Sequence, residues 1–313
     1  MNVYVKTAET CNFRCKHCFN PYSSIPMNFE KTWKFLSQLD KEGNWFILHG
    51  GEPMMGDEEK ILSLVKSTKH ASWRISTNLG YKLTPKKLEI LQLMKQVRTS
   101  FDVGIRFGNM RNLMMWLRNA QALSKKTDLY MNICLTRQMI SHSPENVVRM
   151  LESLGVKRYG FERITLSGRA KEHTEIVPRY EDVDDWLCKL YAIEESGRCA
   201  CHCDDIQRIR LGIQGHEEQC YGKECCMQTI TINADGTVGN CPNNARENIV
   251  GTAEDKASMI KDRICKKKHT IKSACLACSF FRACHGFCEQ IEWQNGTCPY
   301  PKKLARKIME EEH

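Results

Sequence analysis

An α/β fold, a partial (β/α)6 TIM-like barrel followed by a small cysteine-rich C-terminal domain, is what this 313-residue sequence predicts. Three observations carry the prediction. Six apolar, β-rich runs alternate with segments of helical period, the pattern of parallel strands joined by helical crossovers. Polar or cysteine-bearing motifs stand at the carboxyl ends of most runs, where such sheets gather their chemistry. Near residue 195 the alternation stops, and short elements crowded with cysteine replace it. Residues 1–195 are therefore assigned to the barrel, 196–219 to a bridging region and 220–313 to the second domain. Six units rather than eight argue for an open barrel.

The first run, Val3 to Thr7, is short and rich in β-formers and predicts a strand leading into the first cysteines. Phe29, Trp33, Leu36 and Leu39 recur at helical spacing and share a face. Trp45 to His49 is the second strand and ends at Gly50-Gly51-Glu52-Pro53; Trp73 to Thr77 is the third and ends at Asn78. Thr84-Pro85 places a capping hydroxyl before a first-turn proline, and Ser143-Pro144 repeats the device ahead of a helical face of Val147, Leu151 and Leu154. Between them lie the fourth strand, Val97 to Asp102, and the fifth, Leu129 to Leu135; the sixth is Arg158 to Ile164. Farther on, Thr229 to Asn233 and Thr237 to Cys241 flank Ala234-Asp235-Gly236, a hairpin pattern.

Composition narrows the function. There are 18 cysteines, no charged-then-apolar signal segment at Met1 and no apolar run long enough to span a bilayer. The chain reads as cytoplasmic, without a membrane partner. A reducing compartment disfavours disulfides for so many cysteines and favours metal or cluster ligation. The formal charge of +9 resembles a nucleic-acid footprint. Ligation of three clusters by eleven thiolates would cut it to roughly +4, leaving that signal modest. Arg263, Lys266, Lys267 and Lys268, with Lys302, Lys303, Arg306 and Lys307, read as solvated surface.

Cys11, Cys15 and Cys18 form a CxxxCxxC array directly after the first strand. A 4Fe-4S cluster takes one protein ligand per iron, so three thiolates leave one iron open to a non-protein ligand. A structural zinc would need a fourth ligand, from His17 or from a distant residue. The stretch Cys11-Asn12-Phe13-Arg14-Cys15-Lys16-His17-Cys18-Phe19 resembles the cluster loop of the radical S-adenosylmethionine enzymes. The resemblance implies that the open iron is chelated by the amino and carboxylate groups of S-adenosylmethionine. It also implies reductive cleavage of that molecule to a 5′-deoxyadenosyl radical, which takes hydrogen from a substrate. His17 stands where the family usually has an aromatic residue and would stack on adenine. Gly50-Gly51-Glu52-Pro53 resembles the family's motif for the methionine ammonium, Ser76, Thr77 and Asn78 match its ribose-contacting position, and Ser100 resembles the serine facing the carboxylate. Arg106, Arg111 and Arg163 are candidates for that carboxylate or for substrate.

The C-terminal cysteines run Cys275-x2-Cys278-x5-Cys284-x3-Cys288, then Cys298, after a Cys226-x9-Gly236-x4-Cys241 segment preceded by Cys220. This spacing resembles the auxiliary-cluster (SPASM) domain of radical S-adenosylmethionine enzymes that mature peptides and proteins. The resemblance implies one auxiliary 4Fe-4S cluster on Cys220, Cys226, Cys241 and Cys288, and a second on Cys275, Cys278, Cys284 and Cys298. Cys225 could serve by a one-residue shift, and spacing selects Cys226. Two zinc ribbons, in a zinc-stabilised interaction protein, are the competing reading, but they leave the interleaved ligand order and the first loop unexplained. Four thiolates per auxiliary cluster leave no open iron, which points to electron transfer and to an oxidative overall reaction. In Cys199-Ala200-Cys201-His202-Cys203, alternation on an extended segment would aim all three thiols one way; a further metal or a substrate-handling thiol is one reading, and buried or idle thiols in a bridging loop are the simpler one.

The substrate expected from the resemblance is a peptide or protein side chain, oxidatively linked through carbon-carbon or carbon-sulfur bonds. A small metabolite, or a nucleotide in DNA or RNA, is the alternative. Sulfatase-maturating relatives carry an aspartate directly after the cysteine equivalent to Cys241; here the residue is Pro242, which argues against that reaction. The chain opens on its first strand, so a leader-bearing peptide would call for a separate leader-binding protein. An electron donor such as flavodoxin or ferredoxin is the remaining expected partner.

Overall fold

The computed structural model describes residues 1–20, 22–216, 228–266 and 271–311. Cys220, Cys225 and Cys226, on which part of the auxiliary-cluster expectation falls, lie outside the described residues. In chain order the barrel half holds β1 (Asn2–Ala8), α1 (Phe29–Ser37), β2 (Trp45–Gly50), α2 (Glu58–Ser67), β3 (Ser72–Ser76), α3 (Pro85–Leu93), β4 (Gln96–Phe101), α4 (Met110–Ser124), β5 (Leu129–Leu135), α5 (Arg137–Ile140), α6 (Pro144–Ser153), β6 (Arg158–Arg163) and α7 (Tyr180–Glu195). There follow β7 (His202–Cys203), α8 (Asp204–Ile213), β8 (Thr229–Ile232), β9 (Thr237–Gly239), β10 (Ile249–Thr252), α9 (Ala257–Cys265), α10 (Ser273–Leu276), α11 (Phe281–Cys284) and α12 (Lys302–Glu311). The six expected strands all form, with ends within a residue or so of the expected ones. Thr84 caps α3 by accepting the Lys87 N–H, with Pro85 in the first turn. Ser143 occupies the equivalent position before α6 without a side-chain capping bond.

The strands form one sheet in the order β10-β9-β8-β1-β2-β3-β4-β5-β6-β7. From β1 through β7 every neighbouring pair is parallel. Register sorts the side chains by face, since successive residues point opposite ways. Val3 opposite Phe46, Val5 opposite Leu48, and Ile75 opposite Val97 are all buried in the main apolar core. On the other face Lys6 lies opposite His49, Ser100 opposite Asn132, and Cys134 opposite Glu162. That polar face is unusual for a parallel sheet, whose strands are ordinarily apolar on both sides. It is where the site lies.

Two features depart from the expected organisation. The bridging region is not simply a connector, because its CACHC run contributes β7, parallel to β6, and then α8. Cys201 and Cys203 are buried there while His202 is exposed, so the alternation holds and both thiols are core. The hairpin β8–β9 forms as expected, with Gly236 at φ +86° in its turn. It does not stand apart, however, for β8 pairs parallel with β1 and carries the barrel sheet into the C-terminal half. Farther along, Tyr180 at the start of α7 donates its hydroxyl to the Glu292 carbonyl at 2.5 Å, and Asp184 accepts the Lys303 and Leu304 N–H groups at 2.7 and 2.9 Å. Arg246 pairs with the fully buried Glu9 carboxylate and with Asp235. Among the described residues no helix is long and apolar enough to cross a membrane.

Candidate cluster and substrate site

The cysteine loop leaves β1 against the two glycines that end β2. A Cβ on Gly50, whose φ is +133°, would fall 2.1 Å from the Ala8 carbonyl oxygen, and one on Gly51 would fall 2.3 Å from that of Thr10. The Gly51 and Glu52 N–H groups donate to those carbonyls at 2.8 and 2.9 Å. Glycine is required here because the chain entering the loop lies directly on the β2 end. Gly51→Ala should therefore displace the loop, lowering unfolding free energy by about 1–3 kcal/mol and cutting iron uptake. Urea denaturation with iron analysis checks this, and wild-type values for both would contradict it.

Asn12 and Phe13 fix the loop's far side. The Asn12 amide donates to the Gly80 carbonyl at 2.7 Å, and Phe13 packs edge-on against Phe107 with ring centroids 6.0 Å apart. Cys11 Sγ accepts from the Phe13 N–H and from Asn78 Nδ2, both at 3.4 Å. Burial pushes the Cys11 thiol up to about 11 and the Cys15 thiol up to about 12. Ligation needs thiolates, so taking up a cluster would release these protons.

Glu52 is fully buried. Its carboxylate accepts from the Met54 N–H at 3.0 Å, the Thr77 hydroxyl at 2.8 Å and the Asn78 N–H at 2.6 Å. Burial raises its carboxyl to about 7 against those three donors. Glu52 thus ties the end of β3 to the end of β2, and it does not line the cavity described below. Pro53 is likewise internal, opening a single 3-10 turn over 53–55 and accepting the Thr7 hydroxyl at its carbonyl.

The other expected residues converge. Cys11, Cys15, Cys18, His17, Gly50, Gly51, Ser76, Thr77, Asn78, Ser100 and Arg163 all line one cavity of about 880 Å3. The His17 ring lines it too, but its Nε2 lies 3.0 Å from the Arg106 guanidinium and 3.7 Å from Asp102. Burial, followed by the Arg106 charge, lowers His17 to about 4, which keeps the ring neutral at pH 7.

Sequence reasoning passed over His49, Asn132, Cys134, Glu162 and Thr165, which complete the cavity wall. Arg106 organises much of this side. It bonds Asp102 through Nε at 3.1 Å and through its backbone N–H at 2.9 Å, and it donates to Cys134 Sγ at 3.1 Å. The Cys134 thiol in turn faces Glu162 at 3.7 Å. Burial pushes the Glu162 carboxyl up and holds the Cys134 thiol well above its ordinary range. Strand alternation could have found Asn132, Cys134 and Glu162, had the pairing register been known. Arg163, at the edge of the cavity, sets its guanidinium 5.8 Å from both the Tyr180 and the Phe287 rings. Arg111 does not line the cavity.

In the C-terminal half Cys275, Cys278, Cys284 and Cys298 line a single cavity of about 320 Å3. Four thiols around one small space form a donor set suited to an iron-sulfur cluster or to zinc. Of the other expected set, Cys241 is partly buried and Cys288 exposed. Lys6, 1% exposed, is near enough to both Cys18 and Cys241 for their charges to act on it, while burial lowers its ammonium to about 8.

A cysteine triad opens at the mouth of a parallel barrel, with a second thiol cage downstream, and both donor sets suit iron-sulfur clusters. Comparison with known proteins agrees. Residues 2–120 match the family described as a 4Fe-4S single cluster domain. No curated protein matches the sequence. Among solved structures, hexahistidine-tagged anSMEcpe with bound AdoMet superposes with a TM-score of 0.78 at 17% identity, over 99% of this chain and 92% of that one. Native anSMEcpe with bound AdoMet and the Cp18Cys peptide gives 0.76 at 16% identity, over 99% and 95%. Streptococcus suis SuiB bound to the precursor peptide SuiA gives 0.68 at 14%, over 92% of this chain and 72% of that one. The fold is thus that of anSMEcpe and SuiB, an α/β partial barrel continued into a cysteine-rich C-terminal half, as the sequence predicts.

Proposed function

We propose that the protein is a radical S-adenosylmethionine oxidoreductase that modifies a side chain in a peptide or protein, forming a carbon-carbon or carbon-sulfur linkage. One observation carries the reading: three thiols of one loop open onto the same cavity as Gly51, Ser76, Asn78 and Ser100, in a fold shared with a protein solved with AdoMet and a peptide. Cys11, Cys15 and Cys18 would hold a 4Fe-4S cluster whose open iron, when bound to S-adenosylmethionine, supplies a 5′-deoxyadenosyl radical. Asn78 holds Cys11 in place, the Ser76 hydroxyl would contact the ribose while that of Thr77 is engaged with Glu52 and Tyr81, and Ser100 would face the methionine carboxylate. Burial and the Arg106 charge keep His17 neutral, and Arg106 orients it beside the loop. Glu52 acts behind the surface, fixing the β3 end rather than receiving the ammonium.

The two downstream sets, Cys220, Cys226, Cys241 and Cys288, and Cys275, Cys278, Cys284 and Cys298, would hold auxiliary 4Fe-4S clusters that carry electrons from the oxidised substrate. A flavodoxin or ferredoxin would supply the reducing electron in the cytoplasm.

Anaerobic reconstitution followed by dithionite and S-adenosylmethionine tests the reading. About twelve irons per chain and formation of 5′-deoxyadenosine are expected. Two or three zincs without iron, or iron without any 5′-deoxyadenosine, would refute it. Co-expression with short peptides encoded beside the gene, read by mass spectrometry, should reveal a loss of two hydrogens.

A further inference from the structure

The cavity lined by Cys275, Cys278, Cys284 and Cys298 is otherwise mostly aromatic, with Phe281, Phe287, Trp293 and Tyr300 in its wall. One charged side chain joins them, Lys302. It lines the cavity beside the thiols of Cys278 and Cys298, whose charges hold its ammonium above the ordinary lysine range. The helix it opens is fastened elsewhere: Asp184 on α7 accepts the next two N–H groups, and Leu304, Ala305 and Ile308 are fully buried. Lys302 is thus delivered to the thiols by the packing of α12. The adjacent Lys303 turns outward, half-exposed, to Asp185 at 2.7 Å.

We propose that Lys302 raises the reduction potential of the second auxiliary cluster, so that this cluster accepts the electron released by substrate oxidation. The inference rests on the iron-sulfur reading above. A 4Fe-4S cluster held by four thiolates is anionic and takes on one further negative charge when it gains an electron. A cation in the wall beside two of its sulfurs stabilises the reduced form more than the oxidised one. The aromatic side chains lower the local dielectric around the partly buried ammonium, which adds to the effect. The electron comes from the substrate after hydrogen abstraction, and the oxidised cluster is its acceptor.

The test is an EPR-monitored redox titration of the full chain, anaerobically reconstituted, without substrate. Lys302→Met should shift one cluster signal to lower potential and leave the others in place, while Lys302→Arg should stay close to wild type. Unmoved potentials in K302M would overturn the inference. Loss of one cluster's iron in both K302M and K302Q would also overturn it, by making Lys302 a structural latch. A wild-type chain that takes up no iron would refute the cluster reading as well, whereas iron-loaded protein with unmoved potentials refutes this inference alone.

Discussion

Cys15→Ser is expected to abolish 5′-deoxyadenosine formation and to lower the iron content by about one third, with the fold intact. Cys15 is the most buried of the three loop cysteines, 8% exposed, with its sulfur against the Arg106 carbonyl at 3.7 Å. Serine fills nearly the same space but does not replace the thiolate that iron requires. The loop should survive the exchange, because its hold on the barrel comes from Asn12, Phe13 and the glycine ends of β2. Iron and sulfide analysis beside chromatography of the nucleoside product measures both effects, and circular dichroism verifies the fold. Wild-type amounts of 5′-deoxyadenosine from C15S would place the radical chemistry somewhere other than this loop.

The second large effect concerns stability. Arg106→Ala should destabilise the chain by about 3–5 kcal/mol, since it strips a buried carboxylate of its cationic partner. Asp102 is fully buried and receives both the Arg106 backbone N–H and its side chain. The same guanidinium holds His17 and Cys134, so the loss spreads across the cavity wall. Arg106→Met combined with Asp102→Asn should recover much of the stability, because the Asp102 charge is removed together with its partner, and Arg106→Lys should fall between. Urea unfolding of the three variants provides the comparison. A loss under about 1 kcal/mol for R106A, the level of an exposed pair, would show that the network contributes little.

The six barrel strands and the cysteine loop were legible because their signals are local. Val3 and Val5, or Phe46 and Leu48, announce a strand within a few residues, and thiol spacing announces a ligand set. The seventh strand was not, since His202–Cys203 is only two residues long and pairs with β6 across the whole of α7. The joining of β8 to β1 links residues more than two hundred positions apart, and nothing in either segment names the other. Site residues divide in the same way. Gly51, Ser76, Thr77, Asn78 and Ser100 stand at strand ends and reach the cavity as expected. Glu52 stands at a strand end as well, but three hydrogen-bond donors hold it behind the wall. Asn132, Cys134 and Glu162 lie within strands, where facing inward depends on a register that the isolated sequence does not reveal.

The ladder between β1 and β8 also bears on how the chain could be divided. Its register pairs Asn2 through Val5 with Thr229 through Ile232. A fragment ending before residue 229 would leave the first strand with its main-chain donors and acceptors bare along one side, the kind of margin on which polypeptides add to one another and aggregate. The amino-terminal half is therefore a poor candidate for expression by itself, and the carboxy-terminal half serves as its selvedge.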